Sequence, residues 1–298
     1  MRPNLKPYAW LSIAAAIVTI LLKTWAWQAT GSVGLLSDAL ESLVNLAGAV
    51  MALWMLHVAQ RPADAGHAHG HGKAEYFASG FEGFLINLAS IGIGITAIGR
   101  LLHPRPLEAL GLGAAVSIVA ALVNLGVARV LLDAGRRHNS ITLEADARHL
   151  MTDVFTSGGI VAGLAVTHVT GWPWLDPLLA LCLAIHILKT GCELFWRSVS
   201  GLMDASLPPE QQQAIAAALE PYHAKGIAFH ALLTRQAGAR AFVSVHVLVP
   251  GDWSVRQGHD EVEHIEADIR RRIPHAHVLT HLEPIEDPSS FRDADLPP

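Results

Sequence analysis

Six apolar runs of bilayer-spanning length occupy the first two-thirds of the chain, at about 8–29, 33–58, 77–102, 109–133, 142–168 and 172–196. A helix needs about 20 mostly apolar residues to cross a hydrocarbon core. In lipid its backbone must satisfy its own hydrogen bonds, so each run predicts a transmembrane helix. Turn formers separate the runs on one side: Gly31, Pro104 with Pro106, and Gly171 with Pro173. The connections on the other side are basic, with Arg2 and Lys6, Arg61 and Lys73, Arg136 and Arg137, and Arg197. By the positive-inside rule that side, and both termini, are cytoplasmic. Arg100 and Arg105 flank an outer loop against this trend. The first run is too long for the core of a signal peptide and lacks a small-residue cleavage site, so no cleaved leader is expected.

Past Leu207 the period changes. Pro208 and Pro209 open a helical stretch over 210–220, and an extended run follows over 227–234. The segment 241–249 then alternates with period two, 255–273 is amphipathic with helical spacing, and 277–282 reads as a short strand. This αββαβ order predicts a small three-stranded sheet with helices on one face, a ferredoxin-like α+β domain. The expected organisation is a six-helix transmembrane domain over 1–206, a cytoplasmic domain over 207–287 and a disordered Asp/Pro/Ser-rich tail over 288–298.

Composition agrees with this picture: 51% hydrophobic and 16% charged residues describe a membrane protein with a soluble portion. A net charge of −5 gives no basis for nucleic-acid binding. Cys182 and Cys192 share one apolar run at a spacing that suits neither a zinc knuckle nor a redox pair, so both read as buried structural thiols. The abundant chemistry-bearing residue is histidine, with 17 copies.

Ionisable groups are costly at membrane depth and mark ion or proton paths. Two pairs stand out, Glu41 with Asn45 in the second run and His149 with Asp153 in the fifth. Each pair is spaced i, i+4, which puts both side chains on one helix face a turn apart. At 1.5 Å per residue, Glu41 lies about 12 Å into its span and His149 about 10 Å into the opposed one. Four side chains could therefore meet near the midplane and bind a divalent ion through a nitrogen and several oxygens. The plain alternative is that each bonds a neighbouring helix. Asp38, one turn before Glu41, reads as a cap near the surface.

Two further clusters lie in polar segments. Asp64, His67, His69 and His71 crowd the connection PADAGHAHGHGKAE, where glycines permit tight turns around an ion. A solvated histidine-rich linker is the alternative, and Lys73 and Glu75 beside it read as solvated charges. His230, His246, His259, His281 and Glu283 are scattered over the C-terminal domain, with His246 on the strand face opposite the valines. Any one of these is a surface histidine by default, and His264, His275 and His277 are assigned to the surface.

In this order, GSVGLLSDALESLVN, PADAGHAHGHGKAE, ADARHLMTDV, FHALLTRQAG, RQGHDEVEH and LTHLEP resemble the cation diffusion facilitator family, and within it the bacterial ferrous-iron/zinc efflux branch. The resemblance covers nearly the whole chain. It implies a homodimeric antiporter exchanging divalent metal for protons, with Zn²⁺ first and Fe²⁺, Mn²⁺, Co²⁺ or Ni²⁺ as alternatives. It also implies a multi-pass place in the lipid of the inner (plasma) membrane. By position it assigns Glu41, Asn45, His149 and Asp153 to the transport site, and Asp64, His67 and His71 to an inner-loop site with His69 as an addition. His230, His246, His259, His281 and Glu283 match a cytoplasmic binuclear site that stabilises the dimer, and Lys73 and Asp204 an interlocking salt bridge. The chain departs from that branch at Glu41 and Asn45, where two aspartates are usual, and at Glu283, where aspartate is usual. Asn45 cannot carry charge, so one proton-exchanging group is lost and the ligand set becomes richer in oxygen. A non-transporting metal sensor or storage protein is the competing reading. A membrane metallohydrolase comes third, without an HExxH motif to support it.

Overall fold

A computed structural model describes residues 4–30, 33–103, 112–170, 172 and 174–295, though some side chains inside its helices, Asp38 and Glu41 among them, lie outside the described part. The chain divides into two units, Met1–Val199 and Ser200–Pro298.

The first unit is built from long helices: α1 (Lys6–Thr30), α2 (Val33–Ala59), α3 (Ala74–Leu102), α4 (Leu112–His138), α5 (Ile141–Thr170) and α6 (Leu175–Leu202). Among the described residues, Lys6–Ala26, Ala74–Leu102, Ala115–His138 and Pro177–Leu202 are long and apolar enough to cross a membrane. α2 and α5 carry the polar pairs. Large apolar side chains such as Trp10, Leu21, Ile95, Leu122 and Trp196 stand exposed on these helices. In water they would form adhesive patches; in lipid they face their solvent. Helices α1, α2, α4 and α5 pack together, and α3 joins α2 and α5. Small residues bring α6 against α3: a side chain at Gly83 would strike the backbone of Phe195, and one at Gly191 would strike Asn87. The α4–α5 turn closes on Asn139 at φ 51°, a left-handed helix end that asparagine tolerates.

Two expectations are corrected here. Glu75 is buried rather than solvated, with the Ser140 hydroxyl donating to its carboxylate and Thr142 to its carbonyl, which ties the start of α3 to that of α5. Cys182 and Cys192 are exposed rather than buried. They lie on α6, where thiols on an outward face cost little in an apolar solvent.

In the second unit, Pro208 and Pro209 start α7 (Pro209–Leu219), and β1 (Ala228–Ala237), β2 (Arg240–Val249), α8 (Val255–Arg272) and β3 (Ala276–Pro284) follow. β1 and β2 form an antiparallel hairpin across Gly238, whose positive φ suits the tight turn. β3 lies parallel to β2 on its other side, reached through α8. Ser254 and Gln257 close a capping box on α8. Val243, Val245, Val247 and Val249 of β2 bury one face of the sheet against Ile215, Leu219, Ile265 and Ile269 of the helices. The period of two leaves the other face of β2 to Phe242, Ser244 and His246.

The tail differs from expectation. Through Asp295 it is not disordered but a 3-10 helix, Pro288–Asp295. The Ser290 hydroxyl donates to the Pro284 carbonyl, and the Phe291 ring lies 5.9 Å from that of His230. These contacts offset the ordering entropy that composition alone takes as decisive.

Candidate metal sites

Three of the four membrane residues meet. Asn45 of α2 donates through Nδ2 to Asp153 Oδ2 of α5, and its Oδ1 lies 2.5 Å from His149 Nε2. Asn45, His149 and Asp153 are each 5% exposed. Asn45 thus bridges the two α5 residues, which the i, i+4 spacing had already put on one face. The side chain of Glu41 lies outside the described residues.

Other helices contribute polar groups that the sequence reading missed. Asn124 of α4 donates to Asp153 Oδ2 at 3.1 Å. Glu82 of α3, 1% exposed, brings Oε2 within 2.8 Å of His149 Nδ1. Asp146, one turn before His149, accepts from Ser12 of α1 at 3.0 Å. Around this cluster Glu82 Oε1, Asn124 Oδ1 and Asp146 Oδ2 are buried without a hydrogen-bond partner among the described residues. Buried polar atoms are almost always paired in proteins, so such a concentration is what a site for a polar guest would show. The signals were lone polar residues in greasy surroundings, Glu82 in FASGFEGFLINL and Asn124 in AALVNLGV.

In the loop between α2 and α3, Asp64, His67 and His71 offer ligand atoms within 4.8 Å of one another. Asp64 Oδ1 accepts from the amides of His67 and Gly66 at 2.7 and 2.9 Å, and Oδ2 lies 3.3 Å from His71 Nε2. Desolvation acts to raise the Asp64 carboxyl, but these amides and the His67 ring outweigh it and hold it below its ordinary 3.8. The carboxylate is therefore ionised, the form in which it could hold a metal. His69 is exposed and outside this group.

In the second unit the sheet register assembles the site. His230 of β1 faces His246 of β2, which faces His281 of β3. A bulge makes this pairing: two residues, Ala231 and Leu232, stand where β2 has one, with Ala231 at φ 49°. Glu283, two residues beyond His281 and so on the same face, gathers all three rings. Its Oε2 lies 2.8 Å from His230 Nε2 and 3.2 Å from His246 Nδ1, and its Oε1 3.5 Å from His281 Nε2. Burial acts to raise the Glu283 carboxyl, but the His230 hydrogen bond and the neighbouring histidines prevail and keep it below its ordinary 4.5. His259 sits exposed on α8 and is not part of the group. Asp204 pairs with Arg235 at 3.1 Å. His264, His275 and His277 are exposed.

Residues 9–203 match the family model of the cation efflux transmembrane domain, and residues 207–285 that of the cation efflux protein cytoplasmic domain. The chain belongs to the cation efflux family, the cation diffusion facilitators. It is accordingly a multi-pass membrane transporter for divalent metal efflux and not an enzyme, and its cytoplasmic part is a dimerisation domain. It is 55% identical to an uncharacterized transporter of Synechocystis sp., over 98% of this chain and 95% of that protein. It is 32% identical to the cation-efflux pump FieF of Klebsiella pneumoniae, over 93% of this chain and 90% of the pump. The Escherichia coli K12 pump of the same name is 31% identical over 91% and 90%. These cation efflux relatives agree with the ferrous-iron/zinc branch.

Proposed function

We propose that the chain exports a divalent transition metal, Zn²⁺ first, from the cytoplasm across the plasma membrane in exchange for protons. It works as a homodimer with both termini in the cytoplasm. The observation that carries this reading is the buried junction of Asn45 with His149 and Asp153, with Glu82 and Asn124 beside it. A divalent ion entering from the cytoplasm meets the His149 imidazole, the Asp153 carboxylate and the Asn45 amide oxygen, with Glu41 on the same helix as Asn45. One nitrogen among oxygens suits zinc and leaves room for Fe²⁺, Mn²⁺, Co²⁺ and Ni²⁺. Outside, where protons are more abundant, protonation of the imidazole removes its lone pair and the ion leaves. Pumping then requires the helices to open alternately to either side of the midplane site. The loop group of Asp64, His67 and His71 binds metal near the inner surface. The group of His230, His246, His281 and Glu283 binds it in the cytoplasmic domain and favours the dimer. The FieF pumps, similar over nine-tenths of their length, carry cation efflux in their name.

The test is metal flux in reconstituted liposomes under an imposed pH gradient, run with Zn²⁺, Mn²⁺, Fe²⁺, Co²⁺ and Ni²⁺ in parallel. Gradient-driven flux in wild type, abolished by Asp153→Ala, is expected. Flux with no ion, from protein that still binds metal in its cytoplasmic domain, would instead make it a sensor.

A further inference from the structure

Glu82 belongs to none of the residues so far given a role, yet it is among the most deeply buried charges in the molecule. It sits in the first third of the apolar helix α3, 1% exposed, and among the described residues no basic side chain neutralises it apart from the ring of His149, 2.8 Å from Oε2. Apart from that contact, neither carboxylate oxygen has a hydrogen-bond partner among the described residues. A carboxylate left this way in a low-dielectric setting is costly unless a partner compensates it. Helix α2 is shaped to receive it: a methyl group at Gly48 would overlap the Glu82 carboxylate. Gly48 is three residues after Asn45, so the same face of α2 presents Asn45 to one edge of the His149 ring and the Glu82 pocket to the other.

The two edges of that ring do different work. Nε2 faces Asn45 Oδ1, whose amide nitrogen is bonded to Asp153, and Nδ1 faces Glu82. A carboxylate on the far nitrogen of a ligating histidine sets its tautomer and orientation and raises its basicity as a ligand. The described groups facing the ion are otherwise poor in charge. Asn45 is neutral where a carboxylate at the same position would carry −1, so Asp153 is the one described anion among them.

We propose, building on the cargo site above, that Glu82 is a positioning and charge-supplying member of that site. Through Nδ1 it holds His149 with Nε2 turned to the cargo, and it supplies the negative charge against a divalent ion that Asn45 lacks. α3 is thereby a third wall of the transport site beside α2 and α5. The division of labour gives a chain with an amide at position 45 a compensating carboxylate from α3, in addition to Glu41 on α2.

The experiment measures Zn²⁺ flux and equilibrium Zn²⁺ binding on the full-length protein for wild type, Glu82→Gln, Glu82→Asp, Gly48→Ala and the double variant Glu82→Gln/Asn45→Asp. Glutamine keeps the shape of the side chain and removes its charge. Glu82→Gln is expected to raise the half-saturating Zn²⁺ concentration about tenfold or more, the size of effect that outer partners of metal ligands have, with a smaller change in maximal rate. Gly48→Ala, by displacing the carboxylate, shifts half-saturation in the same direction, and Glu82→Asp shifts it less. Asn45→Asp in the Glu82→Gln background restores half-saturation towards wild type, which a packing role for Glu82 would not allow. Wild-type behaviour of Glu82→Gln would overturn the proposal. So would a loss that Asn45→Asp does not recover in protein that still elutes as a dimer. If wild type carries no flux, the transport reading fails on its own, and Glu82 is judged by binding: unchanged membrane-site affinity in Glu82→Gln overturns it, and a tenfold fall sustains it.

Discussion

Replacing His246 with alanine should abolish most of the thermal stabilisation that Zn²⁺ gives the cytoplasmic unit while hardly altering the metal-free protein. His246 Nδ1 and His230 Nε2 share one Glu283 oxygen at 3.2 and 2.8 Å, so both rings already point at one spot. A ligand held at a hundred times its dissociation constant stabilises the folded state by about 2.7 kcal/mol. For a unit of about 100 residues each kcal/mol moves Tm by about 4–8 °C, so saturating Zn²⁺ should raise the transition of Ser200–Pro298 by about 11–22 °C. Loss of a ligand costs at least the upper end of the 10–100-fold that outer partners cost. At the same Zn²⁺ concentration the ratio then falls to about one, the stabilisation to about 0.4 kcal/mol and the shift to about 2–3 °C. The substitution itself is mild, because His246 stands on the open face of β2 and not among the packed valines. Such sites stay within about 0.5 kcal/mol. Calorimetry of the full-length protein, stripped with chelator and then loaded, reads both quantities. A full zinc shift in His246→Ala would refute the assignment of these atoms to a common ion, as would no shift in wild type.

Two further outcomes follow from the same domain. Ala231→Gly should raise its Tm by a few degrees, because an alanine at φ 49° bears about 1–2 kcal/mol that glycine escapes, less glycine's own entropy; Ala231→Val should lower it, and a thermal melt in chelator decides. The lowered Glu283 carboxyl stabilises the fold above its ordinary 4.5, and this contribution is lost as pH falls through its lower folded value. Tm of the metal-free protein between pH 6 and 3 should therefore fall more steeply in wild type than in Glu283→Gln, and parallel curves would contradict the cause given for the shift.

Much of the site was legible because helices and strands are periodic. A four-residue step put His149 and Asp153 on one face before any neighbour was known, and the alternation of β2 set His246 apart from its valines. Glu82 escaped because it is alone on its helix. Its meaning lies in a contact with a residue 67 positions later, His149, and in the absence of a side chain at Gly48. Glu75 was misjudged for the same reason: a charge beside a polar loop looks solvated until Ser140 closes over it. The tail was read by composition, which reports the entropy of ordering but not the contacts of Ser290 and Phe291 that offset it.

By itself the sequence determined that this is a membrane transporter with an αββαβ domain, which segments are long and apolar enough to be read as spans, and which residue types could hold a metal. Those properties are local, set by run length, period and side-chain chemistry. Only the tertiary structure decided which of those residues meet. Asn45 reaches α5 through helix packing, three histidines align through a register that one bulged residue sets, and His259 is left outside. Convergence of side chains from distant segments depends on close-packed surfaces and strand register, and these are properties of the whole fold rather than of any stretch within it.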